Sequence, residues 1–365
     1  MAVVRNIFDL SKKELESWLV EHGLKKYALN QILQWLYQKR VASFEAMTNI
    51  AKETRATLSE HFEIRHLEVG ERHHSSVDET TKYLFVLSDG QKVESVLMPQ
   101  KGRTTLCVSS QVGCAMGCKF CKTAEMKLVR NLTQGEILGQ IMGIQKELPP
   151  GEKITNIVMM GMGEPLHNYE TLIPSLQLMT DDFALGLSQR RITVSTVGMA
   201  LEIERFGKDT GVKLALSLNA TTEEGRGELM PITKKYSLER VIEACRKYAL
   251  GGKHKVTFEY VMMAGVNDSL EDAKRIAKIG SRVPCKINLI PYNEYPGSPY
   301  RRPSDETIRT FFTFLADRHF QVNIRYSKGL DVLAACGQLA TTTPSPGLRP
   351  PSPRYRGEGV PVDIC

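Results

Sequence analysis

No uninterrupted apolar run in the 365-residue chain approaches the roughly 18 residues that a membrane-spanning helix needs. The first residues, with Arg5, Asp9, Lys12 and Lys13, lack the apolar stretch of a secretory signal. A membrane protein is excluded on this reading, and a cytoplasmic location is expected. A solid lysine tail is also missing: 48 Lys and Arg against 41 Asp and Glu leave a mild formal charge of +7. That excess suits a polyanionic partner, because each cation that neutralises a phosphate releases a counterion, although many basic proteins never touch nucleic acid. With 42% apolar and 24% charged residues, disorder is not the default, and the length allows one large core plus a small accessory domain.

Eight cysteines are present: Cys107, Cys114, Cys118, Cys121, Cys245, Cys285, Cys336 and Cys365. In a reducing compartment such a set points to metal binding or catalysis rather than to structural disulfides. Four of the eight fall between Cys107 and Cys121, which strengthens that reading.

The N-terminal part reads as a helical module. Ser11-Lys-Lys-Glu14 is a capping box opening a helix with Leu15, Trp18 and Leu19 on one face. A second helix carries Leu29, Ile32, Leu33 and Leu36, and a third covers the Ala51 to Phe62 region. The runs Lys82–Ser88 and Gln91–Met98, separated by Asp89-Gly90, predict a tight hairpin. From about residue 103 apolar strands alternate with helices. The strand candidates are Thr104–Val108, Asn156–Met160, Arg191–Ser195, Lys213–Leu218, Lys255–Val261 and Lys286–Ile290, and Thr133-Gln-Gly-Glu136 caps an intervening helix.

Repeated strand–helix units imply an α/β fold with parallel strands, and six units are too few for a full eight-fold barrel. The expected organisation is a helical accessory domain over 1–75, a β-hairpin extension over 76–102, a partial (βα)6 barrel over 103–340 and a disordered tail over 341–365. The tail holds six of the seventeen prolines and cannot pack a core.

Cys114-Ala-Met-Gly-Cys118-Lys-Phe-Cys121 is the most informative segment. Three thiolates at this spacing can wrap one face of a cluster on a tight loop, leaving one iron open to another ligand. Structural zinc normally takes four Cys or His ligands, and no suitably spaced residue completes the set. A zinc-bearing RNA-binding module is the non-enzymatic alternative.

The Cys-x3-Cys-x2-Cys spacing, with Phe120 before the last cysteine, resembles the radical S-adenosylmethionine (SAM) superfamily. Gly161-Met-Gly-Glu164-Pro165, at the end of the second strand candidate, fits the same superfamily. The match narrows through Ile192-Thr-Val-Ser-Thr-Val-Gly198, Ala215-Leu-Ser-Leu-Asn-Ala220, Asn288-Leu-Ile-Pro-Tyr-Asn293 and Ala334-Ala-Cys-Gly-Gln-Leu339. From about residue 10 to 340 the chain resembles the bacterial RlmN-like adenine-C2 methyltransferases of ribosomal and transfer RNA.

The resemblance implies a [4Fe-4S] cluster on Cys114, Cys118 and Cys121, with SAM contacted by Gly163, Glu164, Ser195, Ser217, Leu218, Asn219 and Asn293. Asn219 departs from the histidine expected there. The resemblance further implies 23S rRNA and tRNA as substrates, a monomeric enzyme and a one-electron reductant such as flavodoxin.

It also makes Cys336 the carrier of the methyl group and Cys107 the second thiol, which releases the product through a transient disulfide. Either Glu94 or Cys107 would take the proton lost from the base. Taken alone, Cys107 would be a core residue and Glu94 a solvent-facing strand residue; Cys245 and Cys285 read as core. Lys25, Lys26, Lys39 and Arg40 are candidate RNA contacts. The competing activities are the sister adenine-C8 methyltransferase and a radical activase, the latter needing no Cys107/Cys336 pair.

Overall fold

The computed structural model describes residues 4–251 and 254–341. All of the expected tail except Thr341 therefore lies outside the described residues, as does Cys365. No helix among the described residues is long and apolar enough to cross a membrane.

The N-terminal module forms where local signals place it. The Ser11 hydroxyl accepts the Glu14 N–H at 3.1 Å, and the Glu14 carboxylate accepts the Ser11 N–H at 2.8 Å. This reciprocal cap starts α1 (Lys12–Glu21). Helix α2 (Ala28–Leu33) runs on into a π-turn over Gln34–Gln38, and α3 (Lys52–His61) follows. Leu15, Leu19, Ile32, Leu33, Leu36 and Leu58 are buried together. The module is tied to the rest of the chain by Gln134, whose Nε2 donates to the carbonyls of Phe8 (2.9 Å) and Leu10 (2.6 Å).

Ten strands form one sheet whose spatial order follows the sequence. The antiparallel part is β1 (Val69–His74), β2 (Thr81–Val86), β3 (Lys92–Gln100) and β4 (Arg103–Cys107). The expected hairpin is β2–β3, paired Thr81 to Leu97 through Val86 to Lys92. Strand β1, in a stretch counted with the helical module in the sequence, adds to it instead.

From β4 onward every pairing within this sheet is parallel: β5 (Asn156–Met159), β6 (Ile192–Thr196), β7 (Lys213–Ser217), β8 (Val256–Met262), β9 (Cys285–Pro291) and β10 (Val322–Ile324). Helices occupy all six crossovers: α4 (Lys122–Glu125) and α5 (Gln134–Glu147), α6 (Tyr169–Thr180), α7 (Ala200–Asp209), α8 (Glu223–Leu229) and α9 (Leu238–Leu250), α10 (Leu270–Gly280), and α11 (Asp305–Ala316). The six strand–helix units are therefore present, and a seventh parallel strand, β10, closes the series. Strand β5 is apolar but for Asn156, whereas β6 and the first part of β9 alternate, burying Ile192, Val194, Ile287 and Leu289 and leaving Thr193, Ser195, Lys286 and Asn288 partly exposed. Cys245 and Cys285 are buried in this core, as expected.

Glu94 on β3 is not solvent-facing. It is 1% exposed, and its Oε1 lies 2.9 Å from Nζ of Lys82, also 1% exposed, on the neighbouring β2. A charge alternating with apolar residues reads as a surface residue only while its partner is unseen.

Candidate active site

The candidate residues gather at the C-terminal ends of the parallel strands, where barrel enzymes place their chemistry. Strand β4 ends at Cys107, β5 leads into Gly161 to Glu164, and Ser195 and Ser217 lie at the ends of β6 and β7. The cysteine loop then departs from β4. Gly113 turns it with φ +73°, and a Cβ there would overlap the Lys127 carbonyl oxygen, which accepts the Cys114 N–H at 3.1 Å. Only glycine allows that approach. The Cys121 N–H donates to the Cys118 carbonyl (3.1 Å) and the Lys119 N–H to that of Leu229 (3.0 Å). The loop is thus shaped by its own backbone bonds.

Cys114, Cys118 and Cys121 line a solvent-open cavity together with Gly163, Glu164, Ser195, Ser217 and Asn219. Burial pushes the Cys114 thiol up to about 12, and raises Cys118 and Cys121 as well. Loading of iron must therefore displace their protons. Among the described residues, no three His, Cys, Asp or Glu side chains gather tightly enough for a single metal ion. The three thiols line one cavity, and a donor set of three thiolates fits a cluster bound through three separate irons.

Glu164 is 2% exposed, and burial pushes its carboxyl up to about 7. Its oxygens accept the N–H groups of Val197 (2.8 Å) and Leu166 (3.1 Å), which fixes the carboxylate at the cavity wall. Gly163, at φ +101°, lies so close to Gln111 that a Cβ would come within 2.9 Å of its backbone nitrogen. Asn219 is left-handed at φ +53°, a conformation its short polar side chain tolerates. Its Oδ1 accepts the Val261 N–H at 2.9 Å, joining the end of β7 to β8.

A second cavity is lined by Cys107, Val96, Met98, Ala335 and Cys336 among others. Cys336 and Gly337 also line the first cavity, so this segment is part of the wall between the two. Three candidates, Leu218, Asn293 and Glu94, line neither cavity. Leu218 is fully buried in the core, and Asn293 uses its Nδ2 to donate to the Cys336 carbonyl at 3.1 Å. Glu94 stands behind the second cavity, its Oε2 accepting the Ala340 N–H at 2.9 Å.

Three residues at the site escaped the sequence reading. Glu259 and Arg325 form a buried pair at 3.3 Å on the floor of the first cavity, and Asn288 donates to Glu259 at 2.9 Å. Glu259 could have been found as a carboxylate within an otherwise apolar strand, whereas Arg325 follows the undetected β10. Arg226, 0% exposed, donates to Thr233 and the Val197 carbonyl, and its charge acts on Cys118.

Residues 5–64 match the family model of the ribosomal RNA large subunit methyltransferase N-terminal domain, and residues 108–277 match that of the radical SAM superfamily. The chain is 50% identical over 332 residues to the dual-specificity RNA methyltransferase RlmN of Pelobacter propionicus, spanning 91% of this chain and 94% of that protein. The namesake from Geobacter sulfurreducens is 50% identical over 339 residues, 93% of either chain. A radical SAM methyltransferase from Sphaerobacter thermophilus has a similar solved structure, with a TM-score of 0.85 and 41% identity over 92% of this chain and 99% of that one. With identity at this level along nearly the whole length, and the three-thiol cavity in place, the chain belongs to the RlmN family of dual-specificity RNA methyltransferases within the radical SAM superfamily.

Proposed function

We propose that this enzyme methylates C2 of adenine in 23S rRNA and tRNA, with Cys336 carrying the methyl group between the two cavities. The observation that carries the reading is the position of Cys336, shared between the cavity of the three cluster thiols and the cavity of Cys107. When bound on Cys114, Cys118 and Cys121, a [4Fe-4S] cluster with SAM supplies one-electron chemistry able to take a hydrogen atom from a methyl group nearby. Gly163, Glu164, Ser195, Ser217 and Asn219 hold the cofactor in that reading, Glu164 through the ammonium of its methionine part.

Cys336 places its sulfur-bound carbon against the adenine, and the new carbon–carbon bond makes a thioether between protein and RNA. The ring proton then leaves, and the unpaired electron that the methylene radical brought to the base would return to the one-electron centre held by Cys114, Cys118 and Cys121. Both Glu94 oxygens are engaged by Lys82 and the Ala340 N–H, which favours Cys107 as the proton's acceptor. Cys107 next attacks the Cys336 sulfur, giving up the proton it has taken. A disulfide forms as the carbon–sulfur bond breaks, and the departing carbon keeps the electron pair and takes a proton to become the methyl group. Two electrons from a reductant restore the thiols. The pair of thiols in one cavity favours this over the activase reading, and the named relatives favour C2 over C8.

A base inside a duplex cannot present its edge to such a cavity, so the target is a loop or flipped nucleotide. The N-terminal helical module would grip the RNA. Lys25, Lys26, Lys39 and Arg40 are exposed on it, and Lys39 Nζ stands 3.5 Å over the Trp35 ring. Reversing the charge of Lys39 and Arg40 should weaken RNA binding about 10-fold or more at low salt; unchanged affinity would refute the grip. A cytoplasmic monomer served by a one-electron reductant such as flavodoxin completes the proposal.

The decisive experiment is mass spectrometry of RNA from cells lacking the protein, complemented by wild type or Cys336→Ala. Loss of 2-methyladenosine, restored by wild type alone, is the expected result. If 8-methyladenosine tracks the protein instead, the C2 assignment falls.

A further inference from the structure

The segment after β10 does more than display Cys336. Strand β10 is one end of the ten-strand order and β1 the other. The chain leaving β10 reaches across to the turn joining β1 to β2 and is bonded there by two carboxylates pointing in opposite directions. Asp78 of the turn accepts the Gly329 N–H at 3.0 Å. Asp331 of the segment accepts the Ser75 hydroxyl at 2.7 Å and, through its other oxygen, the Ser76 N–H at 2.8 Å and the Ser76 hydroxyl at 3.0 Å.

The turn is built to receive the segment. The Ser75 N–H donates to the Thr80 carbonyl at 2.8 Å, the Ser75 hydroxyl accepts the Asp78 N–H at 3.1 Å, and the other Asp78 oxygen accepts the Thr80 N–H at 2.8 Å. Gly329 fits against it in the left-handed region, at φ +63°, where a Cβ would meet Thr80 Cγ2 at 2.9 Å and Ala334 Cβ at 2.8 Å. Beyond Cys336 the segment is fastened again. The Lys122 N–H donates to the Gly337 carbonyl (2.7 Å), the Thr123 hydroxyl to that of Leu339 (2.6 Å), and the Ala340 N–H to Glu94 (2.9 Å).

We infer that the turn at Ser75–Thr80 is a clamp for the thiol that carries the methyl group, and that Asp331 and Asp78 are positioning residues for Cys336. The hairpin extension thereby has a task in the reaction although no side chain of the turn lines either cavity. Cys336 lies between two anchors, one on this turn and one on the helix that follows the cluster loop. Releasing the first leaves the segment held by the second anchor and by Asn293 on the Cys336 carbonyl, and lets the thiol sample positions away from the cavity wall. This inference rests on Cys336 being the carrier.

The test compares the full enzyme with Asp331→Ala and, from the other partner, Ser75→Ala and Ser75→Thr. The readouts are amide hydrogen exchange, iron content and RNA methylation. Losing the hydrogen bonds of Asp331 should speed exchange over 329–336 at least about 10-fold, with exchange in β5 to β9 and iron content unchanged. RNA methylation should fall by a similar factor at saturating RNA, as kcat rather than KM. Ser75→Ala should reproduce both effects in part, and Ser75→Thr, which keeps the hydroxyl, should restore them. Unchanged exchange over 329–336 in Asp331→Ala overturns the clamp, and faster exchange with undiminished kcat overturns its role in positioning. The carrier reading fails by a different result, retention of methylation by Cys336→Ala.

Discussion

Replacing Cys107 by alanine should leave RNA covalently attached to the enzyme. Cys107 and Cys336 line the same cavity, and in the proposed sequence only the attack of one thiol on the other breaks the carbon–sulfur bond. Without Cys107 the thioether between Cys336 and the base has no route to resolution. Release of methylated RNA should fall on the order of 10³-fold or more, as for other residues that act as a unit. A denaturing gel would show a protein–RNA species whose mass, after nuclease digestion, maps to the peptide containing Cys336. Adding Cys336→Ala to Cys107→Ala should remove that species completely. Free 2-methyladenosine released by Cys107→Ala at the wild-type rate would eliminate the second-thiol role, since another group would then be resolving the bond.

The second large effect concerns stability. Lys82 and Glu94 are each 1% exposed, and the Lys82 ammonium stands 2.9 Å from one Glu94 oxygen. Water cannot solvate either charge. Lys82→Met should therefore cost about 3–5 kcal/mol, the usual penalty for leaving one partner of a buried pair uncompensated. The double variant Lys82→Met/Glu94→Leu removes both charges and should recover most of that loss. A residue of about 1–3 kcal/mol should remain, because the Ala340 N–H loses its acceptor in the double variant. Urea unfolding midpoints of the three proteins measure this directly. A single variant as stable as wild type would mean that water or a rearranged side chain reaches Glu94.

Much of this site could be read because its pieces are contiguous. The cluster loop is a single eight-residue motif, Cys114 to Cys121, and its spacing reflects the geometry of one tight loop. The two capping boxes, at Ser11 and Thr133, formed as written because a cap is decided within four residues. Features decided between distant strands were hidden. Strand β1 contains Gly-Glu-Arg-His-His, a polar edge sequence without apolar alternation, and β10 is only three residues long. Glu94 looked like a surface residue because its counter-charge, Lys82, is on another strand. Likewise Asn293 and Leu218 occupy motif positions that say nothing about which way each side chain turns. Asn293 fastens the Cys336 loop and Leu218 packs in the core.

The order in which the chain emerges during synthesis gives the reach of the last segment a further meaning. The cluster thiols and the strands that support them precede residue 262, whereas Gly329, Asp331 and Cys336 come after β10, the last strand of the sheet. Chains fold from the N-terminus as they are made, so the loop for the iron can be shaped while Cys336 is still inside the ribosome. The sulfur of the proposed carrier therefore joins an already assembled scaffold, and the Ser75–Thr80 turn that receives it is made long before it.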